Sequence, residues 1–144
     1  MNEVVLSWQD IEKAVDSIVN SIGPKQYDFV VGIANGGLIP ATLIAKKLKK
    51  RTLSIGVSSY KDKEREDIDW WAGLNDMDNY KKDYSYLLVD DISDSGSTLK
   101  YLFDGHLDES VDTATIVIKP HTKFLPTYHA ITVESSRWVK FPWE

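Results

Sequence analysis

Short apolar runs alternate with stretches of helical periodicity along this chain, and that alternation limits the possible folds most strongly. Five runs predict strands, at residues 28–34, 52–57, 86–89, 113–118 and 130–133. Most of them are nearly continuous in apolar residues, which is typical of parallel strands that are buried on both faces. Because helical stretches with short connections lie between several of these strands, the sequence predicts an α/β fold with a mostly parallel central sheet.

Three helices are predicted beside these strands. The first begins at Ser7, which has capping-box spacing to Asp10, and it ends at Gly23-Pro24. The others are expected at residues 38–49 and 98–107.

Residues 60–83 depart from the alternation, because a dense run of charges is followed by Trp70 and Trp71. Long loops inside compact domains are often lids or binding loops, so we expect a mobile loop or hairpin at about residues 60–83. A solvated surface insertion is an equally good interpretation of this stretch.

Composition excludes several classes of protein. The length of 144 residues, without repeats or linkers, predicts a single domain over residues 1–144. A net charge of -5 argues against a nucleic-acid partner, which would need a basic face. The chain has no cysteine, so disulfides and thiolate chemistry are excluded. Residues 1–4 lack the basic region and apolar stretch of a signal peptide, so we expect none, and no apolar run approaches the roughly 20 residues that cross a membrane. We therefore expect a cytoplasmic protein.

Residues 87–99 combine an apolar strand, two adjacent carboxylates and a small turn that leads into a helix. Asp90 and Asp91 follow the strand, and adjacent side chains on a strand point to opposite faces. The turn is rich in hydroxyl groups and contains Gly96, which lets the backbone approach a ligand closely. Successive N–H groups at such a turn and at the start of a helix form a concave anion site. Carboxylates for sugar hydroxyls beside an anion site indicate a phosphorylated sugar as the ligand.

The alternative is an ordinary strand–turn–helix junction in which Asp94 and Ser95 cap the helix. Two carboxylates on a buried strand are costly, however, unless they serve a ligand or a cation. The segment is not a P-loop, since no lysine follows its glycine, and Gly36-Gly37 lacks the spacing of a dinucleotide fingerprint. The phosphorylated-sugar site is the stronger interpretation.

Residues 87–99 resemble the motif by which type I phosphoribosyltransferases bind 5-phosphoribosyl-1-pyrophosphate (PRPP): an apolar strand, two acids, two variable residues, Asp, Thr or Ser, Gly, any residue and Thr. Other segments are similar, in the same order, to the small xanthine–guanine phosphoribosyltransferases. They are a pyrophosphate loop at residues 31–41, the start of a flexible catalytic loop at Ser59 and Tyr60, a base-contacting Lys119, and a base pocket at Trp138 and Val139.

This resemblance implies a type I phosphoribosyltransferase fold, with a small base-binding hood at about residues 119–144 and a mobile loop at about 60–83. It implies a purine-salvage enzyme that transfers the phosphoribosyl group from PRPP to an oxopurine (guanine, xanthine or hypoxanthine) and releases pyrophosphate. Mg²⁺ is the implied cofactor. Members of the family are usually dimers or tetramers, so a homo-oligomer is expected.

The resemblance also assigns roles to individual residues. Asp94 is the implied catalytic acid/base on the purine, and Lys119 would donate to its 6-oxo group while Trp138 stacks on its ring. The two implied Mg²⁺ ligands are Asp90 and Asp91. The implied PRPP-binding residues are Asp90, Asp91, Asp94, Ser95, Gly96, Ser97, Thr98, Asn35 and Gly36, and the implied purine-binding residues are Lys119, Trp138 and Val139.

Structural alternatives exist for the purine-binding residues. Trp138 and Trp143 could pack in the core or in an interface, and Lys119 could be a solvated strand end.

The chain departs from the family pattern at Asn35, where the pyrophosphate loop usually carries a basic residue. An amide can donate a hydrogen bond to pyrophosphate but supplies no charge. Ser95 replaces the more common Thr and keeps the hydroxyl. Two further hypotheses therefore stay open: a non-catalytic, regulatory protein of this fold that binds PRPP or a nucleotide, and an enzyme with a non-purine acceptor.

Overall fold

The computed structural model describes residues 2–61, 66–72, 84–105, 107 and 110–144. Its elements in chain order are β1 (Glu3–Val5), α1 (Trp8–Ile22), β2 (Phe29–Ala34), α2 (Leu38–Leu48), β3 (Arg51–Lys61), β4 (Glu66–Ala72), β5 (Tyr86–Ser93), α3 (Ser97–Gly105), β6 (Asp112–Ile118), β7 (Tyr128–Thr132) and β8 (Trp138–Lys140).

The central sheet has the strand order β4-β3-β2-β5-β6-β7. The five strands from β3 to β7 in this order pair in parallel, and β4 alone is antiparallel, at the edge beside β3. The prediction of a mostly parallel α/β sheet is therefore confirmed. A β3–β4 hairpin accounts for part of the stretch that the sequence assigned to a loop or hairpin.

Two hydrophobic clusters cover the two faces of this sheet. Apolar side chains of α1 and α2 pack on one face together with Val30, Leu87 and Val89. On the other face, α3 packs against neighbours of those residues in β2 and β5, such as Val31 and Leu88. Successive residues of one strand thus enter opposite layers, which explains why β2 and β5 read as continuous apolar runs.

The start of α1 has the capping box that the sequence predicted. The Ser7 hydroxyl accepts a hydrogen bond from the Asp10 N–H at 3.1 Å, and Asp10 Oδ2 accepts one from the Ser7 N–H at 2.8 Å. The buried face of the helix carries Ile11, Ala14, Val15, Ile18 and Ile22, so its apolar periodicity faces the sheet as expected.

A second, two-stranded parallel sheet joins β1 to β8, with Val4 opposite Val139. Val139 and Phe141 are buried and extend the cluster under α1 and α2. The hood predicted at residues 119–144 therefore also includes a strand from the other end of the chain. The sequence analysis missed β1, because three residues are too few to reveal a strand period.

Several elements are longer than the sequence predicted. β5 continues through Asp90 and Asp91 to Ser93, and β3 continues to Lys61. Ser59 and Tyr60, the expected start of a flexible loop, lie in the backbone of β3, paired with Ile68 and Asp67. Residues 62–65 and 73–83 of that expected loop lie outside the described part of the chain. No helix within the described ranges has the length and apolar character needed to cross a bilayer.

Candidate active site

The site lies where the connections of the central sheet diverge. β2 and β5 are neighbours, but β2 is followed by β3 on one side and β5 by β6 on the other. In open α/β sheets, ligands bind in the crevice beyond the carboxyl ends of such strands. Residues 35–37, which follow β2, and residues 94–96, which follow β5, lie at this crevice. Both segments lead directly into helices, α2 and α3.

The loop after β2 packs directly on β5. A Cβ added at Gly36 would lie 2.3 Å from Asp91 Oδ2, and one added at Gly37 would lie 2.4 Å from the Val89 carbonyl oxygen. Only residues without a side chain fit this approach. Asn35 is exposed beside them, and the peptide bond before it is cis.

Asp90 and Asp91 form a pair of half-buried carboxylates on β5. Asp90 Oδ1 accepts a hydrogen bond from the Asp91 N–H at 2.8 Å, and Asp91 Oδ1 accepts one from the Ile92 N–H at 2.7 Å. Burial, followed by repulsion from Asp91, raises the pKa of Asp90 well above its usual value. Burial also raises the pKa of Asp91, and the Glu144 carboxylate adds to that effect. A site of this kind favours a cation.

A concave turn follows these acids, and we call residues 94–98 the anion cradle. It borders a cavity of about 230 Å³ whose walls come from residues 90–99. Ser95 Oγ accepts a hydrogen bond from the Ser97 N–H at 3.2 Å and lies 2.9 Å from Ser97 Oγ. The first turn of α3 adds N–H groups and the positive end of the helix dipole, so the cradle suits phosphate.

The anion cradle is held against a second segment, residues 119–124, which follows β6. Ser93 Oγ lies 2.8 Å from Thr122 Oγ1 and donates to the Phe124 carbonyl at 2.8 Å, while the Lys123 N–H donates to the Ser95 carbonyl at 2.9 Å. Gly96, with φ of +84°, permits this contact, because a Cβ there would lie 2.6 Å from the Phe124 nitrogen.

Asp94 meets His121 across this contact. His121 Nε2 lies 2.8 Å from Asp94 Oδ1, and both side chains are about half exposed, at 45% and 54%. The sequence analysis had assigned a role to Asp94 but none to His121.

A second cavity, of about 110 Å³, adjoins the cradle on the hood side, and we call it the aromatic cleft. Its lining residues are Asp91, Ile92, Asp94, Lys119, Arg137, Trp138, Val139, Phe141 and Glu144. Trp138 is 68% exposed, which rules out the core-packing alternative for this residue. Trp143 instead stacks on Phe141, with ring centroids 4.9 Å apart.

Lys119 is buried, with only 3% of its surface exposed, so the solvated-end alternative is wrong. Its ammonium group donates to the carbonyls of Glu134 at 3.1 Å and Ser135 at 3.4 Å, and also to the Arg137 carbonyl. An ammonium group has three N–H donors, and three carbonyls surround this one. Lys119 therefore ties the end of β6 to the turn that precedes β8. Its N–H groups are directed at this turn rather than into the cleft.

Comparison with known proteins agrees with this geometry. The family model described as "Phosphoribosyl transferase domain" matches residues 3–144. The chain belongs to the phosphoribosyltransferase family. The predicted fold class and the predicted enzyme class are both confirmed at this level.

Individual relatives are consistent with the family assignment. The chain is 27% identical to the xanthine-guanine phosphoribosyltransferases of Idiomarina loihiensis and Chromohalobacter salexigens, over 99% of this chain and 87% and 84% of theirs. The crystal structure of a purine phosphoribosyltransferase from Pyrococcus horikoshii Ot3 is 28% identical, with a TM-score of 0.81, covering all of this chain and 95% of the other.

In this phosphoribosyltransferase the described structure brings most of the predicted site residues into two adjoining cavities. The anion cradle contains residues 94–98 beside Asp90 and Asp91, and the aromatic cleft contains Lys119, Trp138 and Val139. Gly36 lies against Asp91. The side chains of Ser59 and Tyr60 lie outside the described part. Sequence reasoning missed His121 and Glu144, although the position of His121 just after a strand end was a usable signal.

Lys119→Met is expected to destabilise the hood, because the carbonyls of Ser135 and Arg137 lose the ammonium donor and that of Glu134 keeps only the Arg137 N–H. An acceptor that loses its donor away from water costs about 1–3 kcal/mol, which lowers Tm by roughly 3–10 °C in a domain of this size. Differential scanning calorimetry of the free protein measures this change. Lys123→Met, an exposed lysine in the same segment, is the matched control and should leave Tm within a degree or so. Equal Tm values for the two variants would show that the carbonyl contacts of Lys119 do not stabilise the fold.

Proposed function

We propose that this protein transfers the 5-phosphoribosyl group from PRPP to an oxopurine (guanine, xanthine or hypoxanthine) and releases pyrophosphate. The observation that carries this proposal is the position of Asp94, which lines both the anion cradle and the aromatic cleft. A group placed there can act on a base in one cavity while the phosphorylated sugar occupies the other. The purine named for the Pyrococcus relative and the xanthine and guanine named for the bacterial relatives supply the acceptor class.

The position of each group of residues indicates which part of PRPP it binds. The anion cradle holds the 5′-phosphate through backbone N–H groups and the hydroxyls of Ser95, Ser97 and Thr98. Asp90 and Asp91 accept hydrogen bonds from the ribose hydroxyls. Asn35 and Gly36, on the loop that contacts Asp91, face the pyrophosphate side of the crevice.

The base binds in the aromatic cleft, where Trp138 offers an exposed indole face for stacking and Val139 forms an apolar wall. Lys119 shapes this cleft by fixing the turn before β8. Donation to a 6-oxo group through its ammonium would require one of its carbonyl contacts to be exchanged for the base.

The transfer step breaks the bond between C1′ and the pyrophosphate oxygen, and the electron pair of that bond leaves with pyrophosphate. A purine nitrogen forms the new bond to C1′ and loses its proton, which the Asp94 carboxylate accepts. Asp94 thus acts as general base in the forward direction and as general acid in reverse.

The carboxylate pair fits a magnesium ion. Mg²⁺ is usually bound by one or two carboxylates together with substrate phosphates and water, and Asp90 and Asp91 supply two oxygen-donor side chains in a region where burial disfavours their charge. Groups of three or more side chains able to hold a metal by themselves are absent from the described ranges. When bound with PRPP, Mg²⁺ would neutralise charge that develops on the leaving pyrophosphate.

A second candidate function rests on Asn35. Its exposed amide stands where relatives of this family carry a basic residue, so the described loop offers the pyrophosphate no positive charge. A non-catalytic PRPP- or nucleotide-binding regulatory protein would need only the anion cradle. The resemblance of Lys119 and Trp138 to the purine-binding residues of the family argues against a non-purine acceptor.

Steady-state assays with PRPP and each of guanine, xanthine, hypoxanthine and adenine, with and without Mg²⁺, test the proposal directly. We expect formation of GMP, XMP or IMP only when Mg²⁺ is present, with little or no AMP. PRPP binding without turnover on any base at high enzyme concentration would favour the regulatory function instead.

The single domain, a homo-oligomeric state and a cytoplasmic location remain predictions. Sedimentation analysis tests the homo-oligomeric state.

A further inference from the structure

The contact between Asp94 and His121 joins two segments that are 27 positions apart in the chain. The distance of 2.8 Å between His121 Nε2 and Asp94 Oδ1 is that of a hydrogen bond to a carboxylate. Either form of the imidazole can make this contact, because the charged ring has a proton on Nε2 and a neutral ring with its proton on Nε2 can also donate. The contact therefore does not depend on the ring being charged.

The backbone around the pair is fixed on both sides. The Lys119 N–H donates to the Ser93 carbonyl at 3.1 Å and the Lys123 N–H to the Ser95 carbonyl at 2.9 Å. These bonds tie the residues just before and just after Asp94 to residues on both sides of His121. An internal bond from the Thr122 N–H to the Lys119 carbonyl, at 3.1 Å, closes the turn that carries the histidine. The backbone of the turn that carries His121 is thus fixed beside Asp94.

The two basic side chains that line the aromatic cleft, Lys119 and Arg137, are engaged elsewhere. The Lys119 ammonium is directed at three carbonyls, and Arg137 Nη2 donates to the Glu3 carbonyl at 3.3 Å. Asp91 and Glu144, which also line this cleft, are acids. Within the described residues, His121 is the side chain placed to orient the Asp94 carboxylate.

We propose that His121 is a positioning residue for this reaction: it fixes the orientation of the Asp94 carboxylate so that the oxygen not bonded to Nε2 faces the purine nitrogen. This inference rests on the proposed function, in which Asp94 accepts the proton of the base. An exposed aspartate otherwise samples several rotamers, and holding one of them is how a second side chain raises the rate of a proton transfer. The residues that line the anion cradle cavity and the aromatic cleft do not include His121.

The test compares His121→Ala and His121→Gln in the full-length protein. We expect His121→Ala to lower kcat about tenfold while KM for PRPP stays within about twofold, because the anion cradle keeps its own hydrogen bonds. The glutamine amide can still donate to Asp94 and should restore at least half of the lost kcat. His129→Gln is the matched control, since His129 is exposed on β7, and its kcat should equal that of the unmodified protein.

A second measurement needs no turnover and separates this inference from the proposed function. In ¹⁵N NMR spectra of the free protein, the imidazole signals of His121 should change in Asp94→Asn, and those of His129 should not. Unchanged His121 signals would refute the pair. Two results would refute the positioning role. One is an unchanged kcat in His121→Ala. The other is a lower kcat that His121→Gln does not restore, accompanied by a change of the same size in KM for PRPP. Unmodified protein that shows the pair by NMR but no turnover would refute the proposed function alone.

Discussion

Asp94→Asn is expected to lower kcat by about 10²–10⁴-fold, the usual contribution of a positioned general acid or base. The amide keeps the size of the carboxylate and can still contact His121, but it cannot accept the proton that the purine loses. PRPP should bind nearly as well as before, because the hydroxyls and N–H groups of the anion cradle are unaltered. Steady-state kinetics with the preferred oxopurine, together with calorimetric titration of PRPP in the presence of Mg²⁺, measures both quantities.

Asp104→Asn provides the control for this experiment. Asp104 is an exposed acid of α3, the helix that follows Asp94 in the chain, and it pairs with Lys100 at 2.8 Å on the helix surface. Its loss therefore removes one negative charge without changing a residue that lines either cavity. Its kcat should stay within about twofold of the unmodified value, since surface pairs of this kind contribute little. If Asp94→Asn turned over as fast as this control, Asp94 would have no catalytic role.

Gly96→Ala is expected to weaken PRPP binding by about 10²-fold, the effect of displacing a binding group by roughly 1 Å. The residue has a φ of +84°, and its added Cβ would lie 2.6 Å from the Phe124 nitrogen and 2.7 Å from Thr122 Oγ1. A backbone atom cannot move aside as a flexible side chain can, so the anion cradle must separate from residues 119–124. The left-handed conformation alone costs a non-glycine residue roughly 1–2 kcal/mol.

Gly23→Ala separates the effect of the close contact from the cost of the left-handed backbone conformation. Gly23 also has a positive φ, of +60°, but its added Cβ would have 3.9 Å to the nearest atom, the Asn20 carbonyl oxygen, at the end of α1. Both variants should lose stability in thermal unfolding, whereas only Gly96→Ala should lose affinity for PRPP. Equal PRPP affinities in the two variants would mean that the close contact at Gly96 is not needed for the cradle to bind.

The sequence predicted the sheet and its helices because their signals are local. Residues 28–34 and 86–89 are apolar enough to identify buried strands, and the spacing of Ser7 and Asp10 identified the start of α1. The extension of β5 through Asp90 and Asp91 could not be predicted in the same way. Polar residues continue a strand only when neighbouring strands pair with them, and that pairing is tertiary.

The resemblance indicated most of the residues that line the two cavities, but it did not indicate the contacts that hold Asp94 and Lys119 in place. Asp94 and His121 meet only because β5 and β6 are neighbours in the sheet, and nothing near either residue in the chain indicates the other. Lys119 shows the same limit: a lysine after a strand is usually solvated, and here the turn at residues 134–137 folds over it and buries it. Contacts of this kind depend on how separate segments pack, so local patterns cannot supply them.

The parallel pairing of β1 with β8 has a consequence for synthesis. The two strands are separated by almost the whole chain, and such distant contacts are slow to form because a long loop must close first. While the chain emerges from the ribosome, β1 has no strand to pair with until residues 138–140 have been made. The segment that carries Trp138 and Val139 therefore joins the fold after the strands of the central sheet have been made. A released chain that ends before residue 138 would therefore contain every strand of the central sheet, which ends with β7 at Thr132, and still lack the wall of the aromatic cleft that Trp138 and Val139 form.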